Sequence, residues 1–393
     1  MLTSTVAMAG TLTILAAMAA GPAGPQRTDG SAARLVAGNS HTCQLDGNGK
    51  AYCWGEGDHG RLGNGSVVSQ TRPTAVEAPA GVTLTQLAAG GSHTCGLGND
   101  TKSYCWGRGY KGQLGNSGVA DQARPVAVRA PAGVVFTQLV AGDEHTCGLA
   151  GDSRAYCWGD GDYGQLGNAD LVRQMTPEVV NAPAGVTFTR LAAGGVHTCG
   201  LGADTKAYCW GNGVYGQLGN GGTVGQLSPV AVDAPAGVIF TELAVGRFHT
   251  CGLAGDHQAY CWGEEGSGAL GDGGTDDRSR PVAVSAPAGV SFIQLAAGNG
   301  HTCGLGSDTR AYCWGSGGSG ALGDGGTDDR SRPVAVQAPA GVAFTQLAAG
   351  EDHTCGLTGA AKVYCWGAGR SGALGDGGTA DRSRPVAVAA PAA

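Results

Sequence analysis

Residues 41–65 read HTCQLDGNGKAYCWGEGDHGRLGNG, and the same wording returns six more times down the chain. The HTC cysteines are Cys43, Cys95, Cys147, Cys199, Cys251, Cys303 and Cys355, each 52 residues after the one before. A partner follows ten residues later in every copy, at Cys53, Cys105, Cys157, Cys209, Cys261, Cys313 and Cys365. These fourteen are all the cysteines of the chain, and each of the seven tryptophans directly follows a second cysteine. A fixed period of this length marks a repeat architecture, in which each unit buries its apolar face against its neighbours. Seven units fill 30–393 as one domain and leave no room within that span for a separate catalytic domain.

The fourth copy shows what a unit builds: FTRLAAGGVHTCGLGADTKAYCWGNGVYGQLGNGGTVGQLSPVAVDAPAGV. Its apolar runs are FTRLAAG, HTCGL, AYCWG and PVAV, too short for helices and bounded by Gly, Pro, Asn or Asp. No 3.6-residue apolar period appears. Four short strands per unit, seven times over, predict an all-β chain: a seven-bladed β-propeller of four-stranded antiparallel blades.

The phrases AGNSHTCQL, AYCWGEGDHGRLGNG and LGDGGTDDRSRPVAV resemble the repeats of the regulator of chromosome condensation family. The resemblance runs over residues 34–388 and implies the same seven-bladed propeller. It implies function less directly, because one fold hosts many activities. The family's guanine-nucleotide exchange and chromatin docking would be the inherited expectation, and none of its exchange residues is carried over to a position here. The AG-x-x-H and WG repeats are also similar to secreted bacterial propellers that inhibit β-lactamase, although the paired cysteines depart from that pattern.

Composition narrows the choice. The chain has 24 basic and 31 acidic residues, a net charge of −7, and no basic tail. That gives no footprint for nucleic acid and none for an anionic membrane. The first 26 residues carry no Lys, Arg, Asp or Glu, and Ala7–Ala20 is an apolar run, too short to span a bilayer comfortably. It reads as a secretory signal lacking a basic n-region, with cleavage expected between Ala20 and Asp29 and residues 1–29 serving as leader and linker. A secreted or extracellular location follows, with bacterial export as the expected route.

Export makes the cysteines a disulfide framework. If HTCQL and AYCWG pair as a hairpin around DGNGK, Cys43 lies directly opposite Cys53, close enough to bridge. The alternatives are zinc and free thiols. His41, Cys43 and Cys53 share a strand face, but they make three ligands where a structural zinc wants four. His41 and its equivalents His93, His145, His197, His249, His301 and His353 are then structural, each expected to satisfy backbone groups at a turn.

Gly55, Gly57 and Gly60 spell G-x-G-x-x-G, but no helical period follows to receive a pyrophosphate, and Glu265 replaces the middle glycine in the fifth copy. The expectation is a tight loop whose glycines take positive φ, with Leu62 and its equivalents anchored in the core and each tryptophan packed between blades. In GDGGTDDRSRP the spacing does not fit a calcium loop. Asp276 and Asp277 are expected to neutralise Arg278 and Arg280.

No nucleophile, acid–base pair, metal or cofactor site emerges, so a non-enzymatic binding scaffold is expected. Its partner is a protein, or else a glycan, on one propeller face, and the scaffold is a monomer without a membrane span. The alternatives are an exchange or regulatory factor, an extracellular inhibitor and a polysaccharide-active enzyme. The positions that drift between copies lie just before each HTC and just after each CWG. In an up-and-down blade both turns emerge at the same end. Tyr110, Tyr163, Tyr215, Arg247 and Phe248 are the candidate partner-binding residues.

Overall fold

The computed structural model describes residues 35–391. The expected leader and its cleavage window lie outside them. The first blade consists of β1 (Leu35–Ala37), β2 (His41–Leu45), β3 (Ala51–Gly55) and β4 (Gln70–Ala75), hydrogen-bonded in that order. Six further sheets repeat it, ending with β25 (Phe344–Ala349), β26 (His353–Thr358), β27 (Val363–Gly367) and β28 (Arg382–Ala387). Every ladder is antiparallel. The fold is the all-β, seven-bladed propeller of four-stranded blades that the repeat predicts.

One boundary differs from expectation. The fourth strand of the fourth blade is β16 (Gln226–Ala231), so it starts ahead of Pro229 instead of at it. Strand four is the outer edge of its blade, where a missing N–H breaks no ladder bond, and a proline fits inside it.

Within each blade the second and third strands form the cysteine hairpin. Cys43 faces Cys53 and Cys199 faces Cys209, and the register is the same in all seven copies. All fourteen cysteines are in disulfides inside their own blades, with Cα atoms 4.0 or 4.1 Å apart. The zinc alternative therefore has no thiolates to use.

Blades pack through the tryptophans. Trp210 is fully buried against Leu166 and the Cys147–Cys157 bridge of the preceding blade. Its indole N–H donates to the Gln165 carbonyl at 3.0 Å, and Phe188 lies against its ring at 5.7 Å. Leu62, Leu114, Leu166 and their later equivalents are fully buried, as anticipated.

The histidines do something the sequence did not suggest. Each reaches the threonine of the next blade's HTC instead of a turn backbone: His41 Nε2 is 2.8 Å from Thr94 Oγ1, and His249 Nε2 is 2.8 Å from Thr302 Oγ1. That threonine is 2.9 Å (Thr94) or 3.0 Å (Thr302) from a loop carbonyl, Arg61 O or Ala269 O. A hydroxyl has one proton, and it goes to the carbonyl. Nε2 is therefore the donor to Oγ1, and Nδ1 is left unprotonated. The series ends with His353 on Thr42, which closes a ring of seven equivalent bonds.

Closure needs no strand exchange, since each sheet is one continuous unit. The first and last blades meet through the backbone bond every other pair uses, Gly377 N to Thr71 O at 2.9 Å, and Trp54 Nε1 donates to Ala373 O at 3.0 Å as the indoles of Trp106, Trp158, Trp210 and Trp314 do to their own loop carbonyls.

A second set of clamps joins the inner strands. Gln138 accepts from Leu191 N at 2.9 Å and donates to Leu191 O at 3.0 Å; Gln294 does the same to Leu347 at 2.9 and 3.2 Å. In the fifth blade this position is Glu242, which accepts from Leu295 N at 3.1 Å. Ionised, it has nothing to donate to the Leu295 carbonyl. Burial pushes this carboxyl up to about 7, against the opposing pull of the Leu295 N–H and the Arg190 charge. Because the folded value lies above the ordinary 4.5, the stabilising proton is fully present below 4.5 and is lost as pH rises through about 7. Glu242→Gln supplies the amide permanently. It should raise the melting temperature at about pH 8, by up to about 3 kcal/mol of stability, and do little at about pH 5. Calorimetry at the two pH values checks this, and an equal shift at both would refute it.

Candidate recognition face

The turn between strands one and two and the loop between strands three and four share one end of each blade. Glu56 N donates to Ser40 O, Asn212 N to Val196 O and Glu264 N to Phe248 O, at 2.9 to 3.0 Å. The same bond recurs in the other four blades. The turns between strands two and three, with Asn48 and Lys206, occupy the opposite end.

The loop after strand three explains the false nucleotide fingerprint. Gly55 and Gly60 take positive φ, +102° and +80°. Gly57 does not; it is glycine because a Cβ there would collide with the Val68 carbonyl. The loop enters a short 3-10 turn, Asp58–Gly60, and no helix that could hold phosphate. Glu265, standing at the Gly57 position, is buried. One of its carboxylate oxygens takes the Leu270 N–H at 2.8 Å, the other has no partner, and burial pushes the carboxyl up to about 7.

Neighbouring loops are tied to one another around the face. His59 Nδ1 lies 2.7 Å from Asp121 Oδ2, Arg108 donates to Glu144 at 2.8 Å, and Lys111 reaches Asp160 at 2.7 Å and Asp162 at 2.9 Å. Those two carboxylates hold the Lys111 ammonium above its ordinary value. At the axis the seven first turns surround a cavity of about 90 Å³. Asp143, Arg247 and Glu351 line it, with Arg247 Nε 3.7 Å from Asp143 Oδ2. Burial raises the Asp143 carboxyl against the pull of Arg247, and burial next to Asp352 and Asp143 raises Glu351.

Of the candidate residues, three form one cluster. The Tyr215 and Phe248 rings meet edge to face at 5.3 Å, and the Arg247 guanidinium stands over Phe248 at 5.2 Å. Tyr110 is exposed and separate, flanked by Arg108 at 6.0 Å and Arg173 at 5.9 Å. Tyr163 is exposed on the next loop. The expected neutralisation of the acidic loop is corrected: Arg278 pairs with Asp272 at 2.9 Å and Arg280 with Asp233 of the preceding blade, while Asp277 accepts the Glu265 N–H at 2.9 Å. The loop folds back on its own start, so residues adjacent in sequence point apart. Among the described residues no helix is long and apolar enough to cross a membrane.

Comparison with known proteins agrees with this geometry. The profile for the RCC1-like domain matches residues 130–392, and the regulator of chromosome condensation (RCC1) repeat matches 48–97 and 102–149. The ultraviolet-B receptor UVR8 of Arabidopsis thaliana is 31% identical over 357 residues, covering 91% of this chain and 81% of that protein. The human E3 ubiquitin-protein ligase HERC2 is 31% identical over 325 residues, covering 82% of this chain but 7% of the ligase. Among solved structures, yeast RCC1 (Prp20) bound to Kap60 superposes with a TM-score of 0.78 at 22% identity, covering 99% of this chain and 91% of that one. Human WBSCR16 gives 0.78 at 20% identity, over 87% and 94%. With its seven repeats, its blade geometry and these relatives taken together, the chain belongs to the regulator of chromosome condensation (RCC1) repeat family.

Proposed function

We propose that this propeller is a secreted, non-enzymatic protein-binding scaffold whose partner sits on the face of the first and third turns. The observation that carries the reading is the contrast between a fixed frame and variable loops at one end of it. HTC, CWG and the inter-blade bonds repeat seven times, while the residues they present change from blade to blade. A rigid ring that displays variable loops is a recognition surface. Seven buried disulfides support export, because such bridges persist in oxidising compartments. N-terminal sequencing of secreted material should start between Ala20 and Asp29; a chain retained in the cytosol with Met1 would overturn the export reading.

The proposed contact residues are Tyr110, Tyr163, Tyr215, Arg247 and Phe248. Once a partner is captured from the native extracellular milieu, alanine at Tyr215, Arg247 or Phe248 should weaken binding by about 1 kcal/mol or more each. Asn48→Ala and Lys206→Ala, at the other end, should leave it unchanged. Sensitivity confined to Asn48 and Lys206 would reverse the assignment.

The alternative reading is a nucleotide-exchange or regulatory factor. Yeast Prp20p, described with binding properties to Gsp1p and histones, shares the fold with a TM-score of 0.77. At 23% identity that likeness carries the fold alone. The net charge of −7 disfavours contact with nucleosomal DNA but not with basic proteins. A nucleotide-exchange assay with purified small GTPases tests it directly.

A further inference from the structure

The fifth blade breaks the repeat at one buried position. Where the loop after strand three carries glycine in the other six blades, as at Gly57, Gly317 and Gly369, this blade carries Glu265. A Cβ at Gly317 would collide with the Asp328 carbonyl, so a side chain here needs a different loop path. In blades one, six and seven the left-handed residue of this loop is His59, Ser319 or Ser371. In blade five it falls one place earlier, on Gly266 at φ +35°. The Glu265 side chain is then fully buried, with one carboxyl oxygen on the Leu270 N–H at 2.8 Å and the other without a partner.

That bond falls on the peptide through which blades five and six meet. Its carbonyl, Ala269 O, accepts the Trp314 indole N–H at 2.9 Å and the Thr302 hydroxyl at 3.0 Å, both from blade six. Thr302 is also the partner of His249. The N–H of the same peptide is the one that Glu265 takes. Among the described residues no other blade places a side-chain carboxyl on this peptide. The charges around the group have both signs. Burial pushes the Glu265 carboxyl up to about 7 against the pull of the Leu270 N–H; Asp272 and Asp277 add to the rise, and Arg278 opposes it. The neighbouring Glu264 is raised by burial and by Asp277 and lowered by Arg247.

We propose that Glu265 is a proton-operated latch on the junction of blades five and six: neutral, it stays under the loop and holds the Ala269–Leu270 peptide against Trp314 and Thr302; ionised, it moves toward water and loosens that peptide. The unpartnered oxygen is the physical cause, because a buried carboxylate without a partner costs far more than a buried neutral carboxyl. The folded value lies above the ordinary 4.5, so the latch is fully set below about 4.5 and is released as pH rises through about 7. The histidine ring fails in the opposite direction, on acidification. The latch belongs to the free propeller and does not depend on what the recognition face binds.

Amide and indole hydrogen exchange on the full chain, read as protection factors at about pH 6 and about pH 8, tests the latch. Protection of the Leu270 amide and the Trp314 indole N–H should fall about ten-fold over that interval. The Trp210 indole N–H, on the Gln165 carbonyl of a loop with glycine at this place, should change much less. Glu265→Gln keeps an acceptor for Leu270 and never ionises, so it should abolish the fall. Glu265→Gly restores the residue of the other six loops and should abolish it too; if one of the two variants does not fold, the other carries the test. Glu264→Gln, and Glu242→Gln at the other carboxyl held near 7, should leave the fall in place. No fall in the native chain, an equal fall at Trp210, or a fall that survives loss of the Glu265 carboxyl overturns the inference.

Discussion

On acidification below about pH 6 the propeller should unfold cooperatively, and at about pH 5 the buried histidines should couple that unfolding to the uptake of up to about seven protons. The cause is the histidine ring. Burial holds His93, His197 and His249 down to about 3, His145, His301 and His353 to about 4, and His41 well below the ordinary 6.5. A folded value below the unfolded one means full stability above pH 6.5 and progressive loss as pH falls toward the folded values. Each imidazole that remains neutral costs about 1.4 kcal/mol per pH unit in that window. Seven acting together approach about 10 kcal/mol per unit, as much as the whole ~5–15 kcal/mol stability of an ordinary domain. Over much of the ring the extra proton has no acceptor in place. Nε2 already donates to threonine, and the Nδ1 atoms of His41, His93, His145 and His197 are buried without an acceptor. Calorimetry in buffers of different ionisation heat counts the protons. His249→Gln, which retains a donor toward Thr302, should lower the count by one. A pH slope of one or two protons would show that the ring does not titrate as a unit.

The second large effect concerns the disulfides. Without denaturant, excess dithiol should leave the bridges intact for hours; in denaturant it should open all seven, and the reduced chain should fail to refold. Every bridged cysteine is fully buried, so an attacking thiolate has no line of approach until the blade opens. Each bridge closes a loop of about 11 residues, which contributes up to roughly 2.8 kcal/mol in the chain-entropy treatment. That is an upper figure, because the hairpin is already local, but seven such terms exceed what a marginally stable fold can lose. Alkylation and mass measurement report the free thiols. Reduction of the folded protein as fast as of the unfolded chain would contradict the sealed arrangement.

These two effects also show what the sequence could and could not reveal. The pairing of Cys43 with Cys53 was legible because both lie in one hairpin and the ten-residue offset sets their register. The role of Leu62 was legible because it is the one apolar residue in a glycine loop. The partner of His41 was not, because Thr94 lies 53 residues away and the two meet only when blades pack. A hint existed in the invariant HT pair: a side chain that contacts its own repeat's equivalent must recur with that neighbour. Nothing in the repeat marks Gln138 or its counterpart Glu242. Their meaning comes from the backbone of the next blade, which no single unit contains. The same holds for Arg280, whose acidic partner sits one repeat back at Asp233. Intra-blade geometry is written locally, while inter-blade geometry is set by the ring.

Because every sheet is drawn from one uninterrupted repeat, the structural unit and the genetic unit coincide. Duplicating any in-register stretch of 52 codons delivers a whole blade, complete with its bridge, its tryptophan and both halves of its contacts. In a ring closed by strand exchange the same duplication must also keep two distant ends complementary. The identity of ALGDGGTDDRSRPVAV at 269–284 and 321–336, and its one-letter variant at 373–388, is what such copying leaves behind. The ring is thus modular in inheritance as well as in shape. A blade can be copied first and its loops diversified afterwards, without the frame being rebuilt.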